Sequence, residues 1–173
     1  MILRLGKGLT PLLLRYIFES MVKRSGILTG TAGVYYVASQ LAMQGFHAAV
    51  TYGNAPSVDI LVGLVDGSAT LSLQVKTSWL ARRTTGRGKK KTFSHYEWEI
   101  GKSAKLHRRD LFFALVDLKE GKNELPDVFI IPSEVLSNYY RAVVEKHFPG
   151  KEDKWIRKIY RTKIGRASCR ERV

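Results

Sequence analysis

Asp59, Gln74 and Lys76 are the residues of this sequence whose types and spacing could do chemistry together. Between the first two lies Asp66-Gly67, a dipeptide that marks a tight hairpin turn. A two-residue turn there pairs Val65 with Ser68, so that paired positions sum to 133 and Asp59 falls opposite Gln74. Side chains alternate across a strand. One face then carries Asp59, Leu61, Gly63, Val65, Ser68, Thr70, Ser72, Gln74 and Lys76. The other carries Ile60, Val62, Leu64, Ala69, Leu71, Leu73 and Val75. The second set is wholly apolar, which supports the register. Asp59 and Gln74 come within about 5 Å at Cβ, with Lys76 a diagonal neighbour.

A carboxylate, a carboxamide and an ammonium at one end of a hairpin suit metal-assisted phosphodiester hydrolysis. Asp59 offers an anionic oxygen, Gln74 a neutral one, and the Val75 carbonyl could add a third. Hard cations such as Mg²⁺ or Mn²⁺ take such oxygen ligands. The metal polarises the phosphate and lowers the pKa of a bound water. Lys76 can orient that water or neutralise charge developing on the phosphorane. The pattern is short, and a surface hairpin with ordinary polar residues also satisfies it.

The charge of the chain fits a polyanionic partner. Of 173 residues, 29 are Lys or Arg and 15 Asp or Glu, a formal net charge of +14. No apolar run approaches the roughly 18 residues needed to span a bilayer, and no helix is both strongly basic and strongly amphipathic. Nucleic acid is therefore favoured over a membrane surface, and the expected location is cytoplasmic. One cysteine, Cys169, excludes an intramolecular disulfide and a Cys-rich zinc site.

Both ends stand apart from the rest. Residues 164–173 match the conceptual translation of a common short-read sequencing adapter. They are expected to be an artefact, with Cys169 foreign to the natural protein and the natural C-terminus missing. Residues 1–20 read either as a plain N-terminal helix starting at Thr10-Pro11 or as upstream DNA translated ahead of a true start at Met21. Arg15 interrupts their apolar stretch, which argues against a secretory leader. Without both ends, 23 basic and 13 acidic residues remain, still +10. The domain is expected over 21–163.

The elements that must position the trio follow from periodicity and punctuation. Val34, Val37, Ala38, Leu41 and Ala42 recur at helical spacing over 29–44, and Gly45 is the natural stop. Strands are expected at 46–51, 58–65, 69–77, 96–100, 111–118 and 128–131. Residues 82–91 read as a basic loop and 102–108 as a short helix or turn. Pro132-Ser133 opens a helix to about Val144. This order describes an α/β domain, a mixed central sheet flanked by helices.

Asp59 followed by Gln74-Val75-Lys76 across a hairpin resembles the D…(E/Q)xK pattern of the PD-(D/E)XK, restriction-endonuclease-like superfamily. The similarity extends to residues 30–38 with Leu41 and Gly45-Phe46, to Gly53-Asn54 with Val58-Asp59-Ile60-Leu61, and to Leu73-Gln74-Val75-Lys76-Thr77. It also takes in Phe129-Ile130-Ile131-Pro132-Ser133, and so covers about residues 22–145. The resemblance implies an αβββαβ core and, for active members, Mg²⁺-dependent cleavage of nucleic acid. Related sequences usually place a Glu early in the first helix, where this chain has Val34. That Glu commonly adds to the metal site, and Val34 cannot ligate anything.

Arg82, Arg83, Arg87, Lys89, Lys90 and Lys91 form a run with no acid and read as a phosphate-contacting loop. Lys102, Lys105, His107, Arg108 and Arg109 form a second basic cluster. Glu97 and Glu99 alternate on a strand and fit exposed carboxylates better than metal ligands. His47, His95, His107 and His147 show no zinc-ligand spacing. Trp79 and Trp98 read as packing residues. The leading expectation is a Mg²⁺-dependent endonuclease acting on DNA in preference to RNA, with a homodimer left open. The alternatives are a catalytically weakened nucleic-acid-binding module of the same fold, and a basic RNA-associated structural protein.

Overall fold

The computed structural model describes residues 25–52, 57–121, 124–147 and 158–160. The extension over 1–20, the Gly53-Asn54 motif and the tail over 164–173 with Cys169 lie outside them.

Helix α1 (Gly26–Met43) starts three residues before the apolar periodicity. Its start is set by a cap rather than by packing: Ser25 is extended, and its hydroxyl accepts a hydrogen bond from the Ile27 N–H at 3.1 Å. The helix ends before Gly45, whose φ of +86° favours glycine. Strands β1 (His47–Val50), β2 (Ile60–Gly63) and β3 (Thr70–Ser78) follow. Next come β4 (Arg82–Thr85), β5 (Thr92–Glu99), β6 (Leu111–Asp117) and β7 (Asp127–Pro132). Helix α2 (Ser133–His147) and β8 (Lys158–Tyr160) close the described chain.

The main sheet runs β1-β2-β3-β6-β7. All neighbours are antiparallel except β3 and β6, which are parallel. The sheet is therefore mixed, and the α/β class expected from the element order holds. Helix α1 packs on one face, where Val37 meets Ile60, Val62, Leu73, Val75, Ala114, Val116 and Leu118. The other face is covered by α2 and by β5. There Leu136, Trp98 and Ile100 bury Leu111, Phe113, Leu115 and Ile131. Trp98 is a packing residue, as expected, and its indole N–H donates to the Val116 carbonyl at 2.8 Å.

The β2–β3 register is the one read from the sequence: Ile60 opposes Leu73, Leu61 Ser72, Val62 Leu71 and Gly63 Thr70. The turn differs. Leu64 N–H donates to the Ala69 carbonyl, and Gly67 N–H to the Leu64 carbonyl. Asp66 holds both the Ser68 N–H and its hydroxyl. These local bonds draw Ser68 away from Val65, so the loop is four residues long, not two. The register survives because the Leu64–Ala69 pair keeps the same sum.

Residues 82–91 are not one basic loop. Arg82, Arg83, Thr84 and Thr85 pair with Tyr96, His95, Phe93 and Thr92 as β4, with a bulge between Arg83 and Thr84. A 3₁₀ turn, Gly88–Lys90, closes the hairpin. Gly86 is required there: φ is +96°, and a Cβ would sit 2.4 Å from the Lys90 carbonyl oxygen. β8 pairs with β5 at Glu97, Trp98 and Glu99. The crossover from β3 to β6 thus carries a hairpin and a five-residue 3₁₀ helix, Gly101–Lys105. An αβββαβ core would carry an α-helix in that place.

Candidate active site

β3 runs beyond the start of β2, because pairing stops at Ile60 opposite Leu73. Asp59 stands where the next partner would be, and its backbone N–H still donates to the Leu73 carbonyl at 2.8 Å. On a strand, the N–H and C=O of one residue point to the same side. Val75 therefore aims both groups past the end of β2, toward Asp59. The Asp59 Oδ2 accepts the Val75 N–H at 2.7 Å. An ionised carboxylate can accept more than one such bond.

Gln74 and Lys76 leave β3 on the face shared with Phe113 and Leu115, their partners on β6. Gln74 is only 8% exposed. Its Oε1 is buried and has no hydrogen-bond partner among the described residues. A buried polar oxygen without a partner is costly, and it is a fitting donor for a hard cation. Burial pushes the Lys76 ammonium below the usual lysine range, while the Asp59 charge beside it pulls the other way. Asp59 and Lys76 are thus within electrostatic reach of each other. Among the described residues, no three His, Cys, Asp or Glu side chains gather as a metal cluster.

Asp59 and Val75 line a cleft of about 330 Å³ between α1 and the start of β2. Its other walls are Gly30, Thr31, Val34, Tyr35, Val50, Thr51 and Tyr52. Val34, the first-helix position expected to be acidic in related sequences, faces this cleft. The helix can approach because Gly33 lies against Thr77, where a Cβ would fall 1.9 Å from the Thr77 hydroxyl oxygen. Sequence reasoning does not single out Tyr35 and Tyr52. One signal was available for Tyr52: β1 pairs with β2, and this brings the residue after Thr51 next to Asp59. Thr51 N–H donates to the Asp59 carbonyl at 3.0 Å.

The basic residues divide by what they already touch. Arg83 is engaged within the fold's own contacts, its Nε–H donating to the Glu97 carboxylate at 3.2 Å and a guanidinium N–H to the Leu80 carbonyl at 2.6 Å. Arg82 lies over the Phe93 ring, 5.6 Å from its centre. Arg87, Lys90 and Lys91 are exposed, and Lys89 sits on the 3₁₀ turn between them. In the second cluster, Arg108 pairs with Asp110. His107 bonds the Ser137 hydroxyl at 2.9 Å, which ties the loop to α2. Arg109 is exposed.

No family model matches the chain, and no curated protein matches it. Among solved structures, the fold is similar to a bacterial homing endonuclease, I-Ssp6803I. The TM-score is 0.47 at 15% sequence identity, over 86% of this chain and 80% of that one. Among the described residues, no helix is long and apolar enough to cross a membrane.

Proposed function

We propose that this protein is a Mg²⁺- or Mn²⁺-dependent endonuclease of the PD-(D/E)XK kind, hydrolysing phosphodiester bonds in DNA. The observation that carries this reading is the end of β3: a carboxylate anchored on the Val75 N–H, on the strand that also carries a buried Gln74 oxygen with no hydrogen-bond partner among the described residues and the Lys76 ammonium, which feels the Asp59 charge. Asp59, the Gln74 Oε1 and the Val75 carbonyl would hold the cation. When bound, it would supply charge stabilisation at the phosphate and an acidified water. Lys76 contributes a fixed positive charge in a partly desolvated place, where it acts on developing phosphoryl charge more strongly than in water. The Val75 N–H orients the Asp59 carboxylate, and the exposed cations of the β4–β5 hairpin hold the backbone of the substrate.

The test is incubation of the purified full chain with supercoiled plasmid, with Mg²⁺, Mn²⁺ or excess EDTA. Nicking or linearisation that needs the divalent ion, and is lost in Lys76→Ala, supports the reading. Cleavage that persists in excess EDTA defeats it.

A second reading is a nucleic-acid-binding module with little or no catalysis. Val34 on the wall of the Asp59 cleft favours it, because that wall then offers no second carboxylate. DNA binding without cleavage under any metal would select this reading.

A further inference from the structure

The cleft beside Asp59 has walls that do not suit a phosphate. Apart from Asp59 itself, its lining is uncharged: glycine, threonine, valine and two tyrosines. No Lys or Arg is among the lining residues, so a phosphate meets no side-chain cation inside it. The two tyrosines are unusual in how little they are covered. Tyr35 is 51% exposed and Tyr52 is 85% exposed, although both border the same cavity. The neighbouring Tyr52 hydroxyl holds the Tyr35 pKa above the usual tyrosine value, so the two side chains lie close to each other. The result is a pair of aromatic rings left in water at the rim of a small hollow whose lining side chains, Asp59 apart, are uncharged.

We infer that this hollow receives one unpaired nucleobase, stacked on Tyr35 and Tyr52, so that the preferred substrate is DNA with single-stranded or extruded bases rather than intact duplex. Three observations lead there. Bases have flat, uncharged rings, and stacking on exposed aromatic side chains is how proteins hold single strands without reading sequence. A volume of about 330 Å³ lies at the lower end of small-molecule pockets. It admits one ring system and excludes a double helix, so a base must leave its stack to enter. The formal charge of +14 supplies a nucleic-acid partner whose phosphates can run along the exposed cations while the base turns inward. Gly30 adds room on the helix side, since a Cβ there would meet nothing within 4 Å. The inference rests on the proposed nuclease reading for its choice of nucleic acid, but its test does not depend on cleavage.

The experiment measures binding of a short fluorescein-labelled oligonucleotide to the full chain by anisotropy, in EDTA so that no hydrolysis occurs. The strand is offered single-stranded, single-stranded with abasic sites, and as a blunt duplex. The proteins are wild type, Tyr35→Ala/Tyr52→Ala and Tyr35→Phe/Tyr52→Phe, each checked for folding by circular dichroism. The expected result is a loss of about tenfold or more in single-strand affinity for the alanine pair. The phenylalanine pair, which keeps both rings, stays within about twofold of wild type. Duplex and abasic strands bind all three proteins alike. Equal single-strand affinity in wild type and the alanine pair overturns the inference. So does a phenylalanine pair as weak as the alanine pair, which would assign the effect to the hydroxyls. Failure of the nuclease reading looks different: stacking-dependent binding persists while metal-dependent cleavage is absent for every substrate.

Discussion

The Asp59 carboxylate accepts the Val75 backbone N–H at 2.7 Å, past the point where β2 stops pairing with β3. This bond joins the two halves of the candidate site. It fixes the carboxylate on the strand that also carries Gln74 and Lys76, and it satisfies a strand-edge donor that β2 leaves without a backbone partner. The charge of Asp59 can be separated from this anchoring role. Asp59→Asn keeps an oxygen that can accept the Val75 N–H but removes the anion. It should fold with little change in melting temperature and lose metal-dependent cleavage by at least about 10²-fold. Lys76→Ala should show a similar loss with DNA affinity largely kept, because it removes charge stabilisation and not the hairpin that contacts phosphate. Plasmid nicking rates and anisotropy on the same preparations check both; a Lys76→Ala protein that cleaves at the wild-type rate removes this residue from the chemistry.

Val34 and Asp59 border the same cleft, so a carboxylate at position 34 would face Asp59 across it, whereas Gln74 and Lys76 leave β3 on the other face. Val34→Glu should raise Mg²⁺-dependent cleavage by about tenfold, since a second anionic oxygen strengthens a site otherwise holding one. The same change costs some stability, because Val34 packs against the apolar cluster under α1. Lower activity at every metal concentration would show that the extra carboxylate does not join the site.

The register that creates this arrangement was legible from Asp66-Gly67 and from the apolar alternation of Ile60, Val62, Leu71, Leu73 and Val75. A one-residue slip would have turned that apolar set away from α1. The turn type was not legible, because it depends on the Asp66 carboxylate choosing Ser68, a local bond with no trace in hydrophobic pattern. β4 was hidden for a related reason. Arg82, Arg83, Thr84 and Thr85 carry no apolar alternation, and their strand geometry comes from pairing with β5. The start of α1 lay in a polar cap, Ser25, rather than in periodicity. Tyr35 and Tyr52 were silent because they lie in different segments of the chain. Only the β1–β2 pairing and the tilt of α1 place them around one cleft.

Gly33 brings α1 up against the sheet at Thr77. A methyl group at Gly33 would land 1.9 Å from the Thr77 hydroxyl oxygen and 2.9 Å from its Cβ. Gly33→Ala should therefore destabilise the domain by about 1–3 kcal/mol despite the better helix propensity of alanine. Adding Thr77→Ala should recover part of that loss, since it removes the nearest atoms but leaves the Cβ. The Thr77 hydroxyl is buried with no hydrogen-bond partner among the described residues. Thr77→Val alone should then be neutral or stabilising. Urea denaturation of the wild type and these variants measures all three statements, and strict additivity of Gly33→Ala and Thr77→Ala would argue against a direct clash.

Arg83 differs from its neighbours in the basic hairpin, because its guanidinium is committed to Glu97 and to the Leu80 carbonyl. Neutralising Arg82, Arg87, Lys89, Lys90 and Lys91 should weaken DNA binding and flatten the log–log salt dependence by about 0.9 for each phosphate no longer neutralised. Arg83→Gln should leave that slope nearly unchanged and lower the melting temperature instead. Titrations of labelled DNA at several salt concentrations read both slopes, and thermal melts read the stability. A quintuple variant with the wild-type slope would take the hairpin out of the interface.

Lys76 also leads to a prediction about pH. Burial outweighs the Asp59 charge, and the ammonium's pKa in the folded protein lies below its value in the unfolded chain, about 10.4. The unfolded state therefore binds more protons between the two values, and stability rises with pH across that window. Below the folded-state pKa the group carries its full desolvation cost, and above the unfolded value the cost is gone. Lys76→Met removes the charge and keeps a chain of similar shape. It should raise stability at neutral pH, and its advantage over wild type should shrink as pH climbs toward about 10. The same substitution should abolish cleavage, so the residue would trade folding stability for a cation at the site. Denaturation curves of both proteins at neutral and alkaline pH test this. A gap that stays constant with pH would show that Lys76 is as well solvated in the folded protein as in the unfolded chain.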